Sequence, residues 1–470
     1  MAFYNRYFSF LGYNCFAFMK SKRYDVIVVG AGPAGIFACY EIVKKNPKLS
    51  VALIDMGQKL EKRKRNQVMT GFGGAGSFSD GKLHYTPVLS HERALHLIKE
   101  DKYQKLLDYV EDIFSEFGVD SPFYPKDDGE VKMLKNEAER KNIELIVRRT
   151  QHVGTDKLRG VIKHFQDYLL EKKVDFIFNT EIIDLNTRNG KCIGVIDTKG
   201  NKYFAKSILL APGRIRTKWL QEIADKHKIK YEYGMVEIGV RVEFPESVLK
   251  RYADALYEIV LKIRTKTYDD IVRTFCSCPN GLVAIEDYLG YVCVNGHSNS
   301  VHRSKNSNFA FVCEVNLTEP VENSIAYAET IAKMASTIGG GKPILQRLAD
   351  LRKGRRSTWS RLGKSLVKPS LTQVTPGDIS MALPHRVVTN ILEGLEILDR
   401  VMPGINSGST LLYAPEVKFR SSRVSTSKSM ETNLKDVYVA GDAAGLSGSI
   451  TGAAATGIMA ARGIVSKPKK

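Results

Sequence analysis

The sequence predicts an α/β fold in which the chain builds part of a parallel sheet, leaves it to form a second domain, and returns to close it. Three observations predict this. An apolar run, Val26–Val29, leads directly into Gly30-Ala-Gly-Pro-Ala-Gly35. A second phrase of the same kind, Val437-Tyr-Val-Ala-Gly-Asp-Ala-Ala-Gly445, stands near the other end of the chain. Between them, helical and strand patterns alternate and several hairpin turns are marked by Asn-Gly or Lys-Gly.

The elements follow in order. Val26, Ile27, Val28 and Val29 are continuous in apolar character, as expected of a strand buried on both faces. Gly30, Gly32 and Gly35 fit G-x-G-x-x-G, with Ala31, Pro33 and Ala34 between them. In that spacing the first glycine permits a tight turn, the second lets backbone approach a pyrophosphate, and the third lets the next helix pack on the strand. The helix, expected over 34–45, aims its N–H groups and positive dipole end at the phosphates. A strand at 50–54 ends in Asp55, 20 residues after Gly35, where an acid accepts hydrogen bonds from a ribose hydroxyl.

Gly71-Phe-Gly-Gly-Ala-Gly76 repeats the spacing, but no apolar strand precedes it and Ser77-Phe-Ser-Asp follows instead of a helix. It reads as a loop whose backbone, at Gly73 and Gly74, comes close to a ligand. Residues 91–150 are charged and helical in pattern and read as an insertion. A helix over 156–172 carries Leu158, Val161, Ile162, Phe165, Tyr168 and Leu169 along one stripe. Short strands at 175–179, 182–186, 192–197 and 203–206 follow, with turns at Asn189-Gly190 and Lys199-Gly200, as in a β-meander. A strand at 207–210 then runs into Ala211-Pro-Gly213, another place where backbone can touch a dinucleotide.

The last phrase completes the first. A strand at 437–440 turns at Gly441-Asp442 and leads to a small-residue helix over 451–465. Asp442 is placed to bond a ribityl or pyrophosphate linker, and the helix N-terminus to face an electron-rich ring edge. A site with these two ends implies FAD.

Composition fits a large enzyme. A chain of 470 residues, 43% hydrophobic, can bury more than one core. No window has the apolar length of a transmembrane helix. Seven scattered cysteines favour a reduced, cytoplasmic setting over a disulfide framework. The aromatic stretch Met1–Phe18 lacks the features of a signal peptide, and Met19 resembles a natural start, so the extension need not be native. The net charge of +19 is spread along the chain, with denser runs at Lys59–Arg65 and Arg347–Lys368. No RNA-binding motif accompanies them, so nucleic acid is not the expected partner.

On these motifs the chain resembles the two-dinucleotide-binding-domain flavoproteins of the glutathione reductase-like superfamily. More closely, it resembles the FAD-dependent dehydrogenase family, also called NAD(P)/FAD-dependent oxidoreductases. The matching stretches include GFGGAGSFSDGKL at 71–83, HVGTDKLRGVIK at 152–163, CSCPNGLV at 276–283, VNGH at 294–297, VTPGDIS at 374–380 and VAGDAAG at 439–445. The resemblance implies that Gly30, Gly32, Gly35 and Asp55 hold the ADP half of FAD. It further implies that backbone near Ile182 meets adenine, that Gly213 lies near the dinucleotide, and that Gly441 and Asp442 take the ribityl–pyrophosphate region. Asp55 stands where many members have Glu.

The expected architecture is therefore a discontinuous Rossmann-like FAD-binding domain with a β-meander (20–90, 151–215 and 405–470). To this are added an extension (1–19), a helical insertion (91–150) and an inserted α+β substrate domain (216–404). The expected activity is hydride transfer between flavin and a small organic substrate. A nicotinamide donor would dock transiently, since no second strand–glycine–helix unit follows; a protein donor is the alternative. Reduction of a polyprenyl or lipid double bond, and an RNA-associated flavoprotein, are the other readings. No metal set is expected and no catalytic residue is assigned. Cys276 and Cys278 form C-x-C, not the C-x-x-C of redox motifs, and a disulfide between them would close a strained ring; two thiols packed before the Pro279-Asn-Gly281 turn are therefore expected ahead of a redox pair beside the flavin. His297 and His302 are candidate proton donors, or polar turn residues.

Overall fold

The computed structural model describes residues 22–64, 68–78, 81–87, 94–288, 290–297, 303–315, 317, 323–418 and 422–467. The extension, His302 and the final Lys-Lys lie outside the described residues. Strand β1 (Arg23–Val29) leads through the glycine turn into α1 (Pro33–Lys45) and then β2 (Val51–Ile54). β1 and β2 run parallel, with Val28 opposite Leu53. Gly30 stands at φ +105°, and a Cβ there would lie 2.1 Å from the Ala211 carbonyl oxygen; one on Gly35 would lie 1.9 Å from that of Gly30. Neither position has room for a side chain, so strand, turn and helix close tightly only with glycine.

Next come β3 (Lys82–His84), α2 (Glu100–Glu116), β4 (Phe123–Tyr124), α3 (Asp128–Glu139), β5 (Ile143–Ile146) and β6 (Thr150–His152). The expected single insertion at 91–150 is divided between two cores. Tyr103, Leu107, Val110 and Phe114 of α2 join the first core. Leu134 of α3 and Ile143 and Leu145 of β5 join the second.

Helix α4 (Thr155–Glu171), β7 (Asp175–Ile177), β8 (Ile182–Arg188), β9 (Lys191–Asp197) and β10 (Lys202–Leu210) return to the first sheet. The strands expected separately at 203–206 and 207–210 are one. Tyr203 pairs antiparallel with Val195 of the meander, while Leu209 pairs parallel with Val28. One uninterrupted strand thus serves both partners. Helix α5 (Thr217–His227) still packs Trp219, Leu220 and Ile223 into the first core, so that core extends past the expected limit of 215.

After β11 (Tyr231–Glu232) the chain builds a second sheet from β12 (Val236–Pro245), α6 (Glu246–Leu256), β13 (Val260–Arg264) and β14 (Ile271–Cys278). It continues with β15 (Leu282–Asp287), β16 (Val292–His297), β17 (Asn306–Val315), α7 (Ser324–Ile338) and β18 (Ile344–Arg347). Helices α8 (Leu348–Arg352) and α9 (Trp359–Gly363), β19 (Thr375–Pro376), α10 (His385–Leu398) and β20 (Leu411–Lys418) complete it. The order is β19-β18-β20-β12-β17-β14-β13-β5, with β15–β16 as a separate hairpin. β20 lies between β12 and β18, so the chain leaves this sheet after 418 rather than at 405. The packing of the strand, not the glycine phrase downstream, sets that limit. β21 (Arg423–Val424) pairs with β11, β22 (Val437–Val439) pairs with β10, and α11 (Ile450–Val465) ends the described fold.

The two faces of the second sheet differ in chemistry. Along β12, Val236, Ile238, Val240, Val242 and Phe244 share an apolar core with α6, α7 and α10. The intervening Glu237, Arg241 and Glu243 are just as buried. Burying charge is costly unless it is paired, and here it is. Arg273 grips Glu237 through Nε and Nη2 at 2.5 and 2.7 Å. Glu243 accepts from the Tyr413 hydroxyl at 2.5 Å.

Candidate functional site

Four glycine turns meet at one end of the first sheet. The Gly71–Gly76 loop is tied to the first turn by a Gly73 N–H bond to the Ala31 carbonyl at 2.8 Å. Gly74 abuts Gly32, since a Cβ on Gly74 would lie 3.0 Å from Gly32 Cα. Ala211 bonds Val29, and Ala440 bonds Leu210, which brings the Gly213 and Gly441 turns alongside. A Cβ on Gly441 would lie 3.2 Å from that of Ala34. By contrast, Gly32 and Gly213 face open space, with nothing within 4 Å of an added Cβ.

Asp55 ties two of these turns to the segment that follows β2. Its Oδ1 accepts from the N–H groups of Gly57 at 2.7 Å and Gly71 at 2.8 Å. Its Oδ2 accepts from Ala31 N–H at 2.8 Å. The shorter carboxylate therefore binds backbone first, and Oδ2 keeps one lone pair for a hydroxyl. Asp55→Ala would leave three buried N–H groups without their acceptor. It is expected to cost about 2 kcal/mol or more, readable as a lower thermal midpoint even in FAD-free protein.

Arg63, in the first of the two basic runs, is engaged by the glycine loop. Its Nη1 donates to the carbonyls of Phe72 and Gly74 and to Ser77 Oγ at 2.7, 3.0 and 2.8 Å. Burial lowers its pKa to about 10, so it remains charged at neutral pH. In the other basic run, buried Asp350 accepts from Arg347, Arg355 and Ser357, while Arg352, Lys353, Arg356 and Lys364 are exposed.

Ile182 begins β8, and its carbonyl accepts from Arg216 at 3.1 Å. Asp442 opens a turn in which Ser447 donates to Oδ1. Its Oδ2 faces Arg214 Nε at 3.5 Å. Helix α11 is capped by Ser449, which accepts from Gly452 N–H at 3.0 Å. The Thr451 hydroxyl bonds the His84 carbonyl, fixing the helix start against β3.

The second sheet's polar face comes to this same place. Arg214, one residue beyond Gly213, reaches Glu286 of β15 at 3.9 Å. Burial alone would lower the Arg214 pKa, but Glu286, Tyr288 and Asp442 together raise it. Lys418, at the end of β20, holds Glu416 at 2.5 Å. It is opposed by burial, yet Glu416 and Glu286 keep its pKa raised as well. Cys276 Sγ lies 3.9 Å from Asn295 Oδ1 of β16. Among the described residues, Glu286 Oε2 has no hydrogen-bond partner.

This charged junction was absent from the sequence-based expectation. Its signal was the alternation Val236-Glu-Ile-Gly-Val-Arg-Val-Glu-Phe244, in which every second residue is polar or glycine. Such alternation ordinarily marks a face in water, and only the fold reveals that it is covered. His297 ends β16, and no proton-donor role follows from its placement.

Residues 25–235 match the family model described as FAD binding domain. Residues 235–419 match the one described as FAD-dependent protein, C-terminal domain-like. The chain belongs to an FAD-dependent oxidoreductase family. The two matches meet between β11 and β12, and the second ends just after β20. An uncharacterised protein of Clostridium beijerinckii is 26% identical over 94% of this chain and 80% of its own length. The flavoprotein subunit of 8-methylmenaquinol:fumarate reductase from Wolinella succinogenes is 26% identical over 40% of this chain and 31% of its own. Among solved structures, a 3-ketosteroid-delta4-(5alpha)-dehydrogenase of Rhodococcus jostii overlaps 95% of this chain and 97% of its own at 12% identity, with a TM-score of 0.43. Glycine oxidase of Bacillus cereus overlaps 95% and 96% at 12% identity, with a TM-score of 0.40.

The cofactor of this flavoprotein is FAD. The open faces of Gly32 and Gly213, beside turns otherwise closed by backbone, suit the close approach of a dinucleotide. No helix among the described residues is long and apolar enough to cross a membrane.

Proposed function

We propose that this FAD-dependent oxidoreductase exchanges a hydride between flavin and a small polar substrate held where the glycine turns meet the charged face of the second sheet. The observation that carries the reading is Arg214. It extends from the Gly213 turn, lies between Asp442 and Glu286, and makes only long contacts to both, at 3.5 and 3.9 Å. Charge-assisted hydrogen bonds run nearer 2.7–2.9 Å, so its fork retains donors for an anionic or carbonyl group of the substrate.

In this reading the Gly30–Gly35 turn and the start of α1 hold the pyrophosphate, and Asp55 Oδ2 takes a ribose hydroxyl. Gly73 and Gly74, Gly213 and the Ile182 backbone line the dinucleotide. Gly441 and Asp442 hold the ribityl–pyrophosphate region. Bound FAD supplies the hydride chemistry. Arg214 and Lys418 orient the substrate, and Glu286 holds or receives a proton at its unpartnered Oε2. The charged lining favours a polar molecule over a polyprenyl chain. A nicotinamide or a protein is the class of electron donor.

Anaerobic flavin bleaching with NADH, NADPH and a panel of hydroxy, amino and keto acids tests this reading. With whichever substrate turns over, Arg214→Ala is expected to raise KM by roughly 10- to 100-fold, the equivalent of a lost hydrogen bond to a charged group. Arg214→Lys should restore part of that loss. An unchanged KM in Arg214→Ala would remove the substrate from this junction.

A further inference from the structure

Between β18 and β19, at one end of the second sheet, the chain makes a long excursion whose charge is one-sided. From Arg347 to Lys368 stand eight lysines and arginines against a single carboxylate, Asp350. Asp350 is buried and taken up by Arg347 and Arg355. Arg352, Lys353, Arg356 and Lys364 stay exposed, and among the described residues no carboxylate pairs with any of them. The nearby Asp399 and Asp378 are held by local bonds instead: Asp399 accepts from the Gly404 and Asn406 N–H groups, and Asp378 from Ser380. Large apolar side chains stand among the cations. Leu366 is 89% exposed, Met381 66% and Trp359 54%.

Hydrogen bonds hold these residues in one patch. Arg352 Nη2 donates to the Asn406 carbonyl at 3.1 Å, and Leu366 N–H to Ser409 Oγ at 3.4 Å, so both are anchored on the same turn before β20. Arg361, in α9 with Trp359, donates to the Arg356 carbonyl at 2.7 Å. Buried Gln346 donates to the Arg355 carbonyl at 2.9 Å and accepts from Ile379 N–H at 2.8 Å, which brings the Ile379–Met381 turn alongside. From 364 to 368 the chain alternates: Ser365 and Val367 are buried, while Lys364, Leu366 and Lys368 face outward. Leu362 and Val367 join Leu345, Val374 and Leu411 in a small core, so packed structure backs the patch.

Neither feature stabilises the folded chain. Cations without counter-charges repel one another, and an aliphatic side chain left in water forfeits what burial would give. A surface that is anionic outside and hydrocarbon within answers both. A nucleic acid answers the charge and can stack on Trp359, but it leaves Leu366 and Met381 in water.

We propose that the 352–368 excursion, with Met381, is a membrane-docking surface for anionic phospholipid. Arg352, Lys353, Arg356 and Lys364 bind the head groups, their aliphatic stems lying along the apolar residues. Leu366 and Trp359 enter the boundary between head groups and acyl chains. The inference is independent of the substrate at the flavin junction; it places the whole flavoenzyme on the face of an anionic bilayer.

Flotation of the FAD-bound full chain with lipid vesicles tests this. The protein is expected to float with vesicles containing about 30% phosphatidylglycerol, to stay behind with pure phosphatidylcholine, and to be released by about 0.5 M NaCl. Each cation near an anionic leaflet strengthens binding roughly fivefold, so Arg352→Gln, Lys353→Gln, Arg356→Gln and Lys364→Gln combined should weaken it about 100-fold or more. Trp359→Ser with Leu366→Ser should weaken it about tenfold or more. Both variants should keep wild-type FAD content and thermal midpoint, since the altered side chains are exposed. The chain has two tryptophans, so in Trp219→Phe protein Trp359 reports alone, and its emission should move to shorter wavelength on adding the anionic vesicles. Failure to float with them, equal flotation with phosphatidylcholine, or an unmoved Trp359 emission overturns the proposal. Single-stranded DNA that displaces the vesicles and binds Leu366→Ser as tightly as wild type would also overturn it, giving the patch to nucleic acid.

Discussion

Gly32→Val is expected to yield a folded, colourless protein. Its neighbours separate two jobs that one motif combines. A side chain at Gly30 or Gly35 runs into backbone at 2.1 or 1.9 Å, whereas one at Gly32 meets nothing within 4 Å. Valine at 32 therefore leaves β1, α1 and their packing intact and occupies only the space that the dinucleotide would enter. Blocking backbone donors to a charged pyrophosphate removes about 3 kcal/mol or more, roughly 100-fold in FAD affinity. Gly35→Val should instead fail to accumulate as soluble protein. The check is paired: circular dichroism and thermal unfolding of the FAD-free forms, then FAD titration by flavin fluorescence. Normal FAD affinity in folded Gly32→Val would place the pyrophosphate elsewhere.

The second large effect is expected at Lys82. Its ammonium group and the Glu258 carboxylate are almost wholly buried, 4% and 1% exposed, and 2.7 Å apart. Burial pushes the Glu258 pKa up, but Lys82, His84 and Arg148 outweigh it and leave the pKa below the ordinary carboxylate value. A carboxyl held low in the fold contributes stability above its unfolded pKa, and that contribution is lost as pH falls through the folded value. Lys82→Met removes the partner at 2.7 Å and leaves Arg148 at 4.0 Å. Stranding a buried charge costs about 3–5 kcal/mol at neutral pH. Protonation of Glu258 then relieves part of that cost, so the gap between variant and wild type should narrow on acidification to about pH 5. Urea unfolding at both pH values measures it. An equal gap at the two would mean that Glu258 is not the charge left stranded.

Lys82 also shows why part of the site was hidden from sequence. The glycine turns are local: Gly30, Gly32 and Gly35 act within one strand–helix unit, and their meaning is carried by spacing. The return of the chain at Gly441 was legible for the same reason, since its strand and helix are contiguous with it. The junction is not local. Lys82 meets Glu258 and Ser277, and Arg214 meets Glu286 and Asp442, through pairings that only the meeting of two sheets creates. The domain limits were misjudged on similar grounds. β5 and β20 are strands whose sheet is fixed by their partners, β13 for one and β12 and β18 for the other. Asp55 was singled out by its position after β2, yet its three backbone bonds come from segments that spacing alone could not bring together.

The central claim, that flavin chemistry takes place where the glycine turns meet the charged face of the second sheet, is tested most directly by a crystal structure of the protein with FAD bound. The account predicts pyrophosphate density at the open face of Gly32 and ring density in the space bordered by Arg214, Asp442, Glu286 and Cys276. Ring density outside that space, with these four side chains left facing one another, would contradict it.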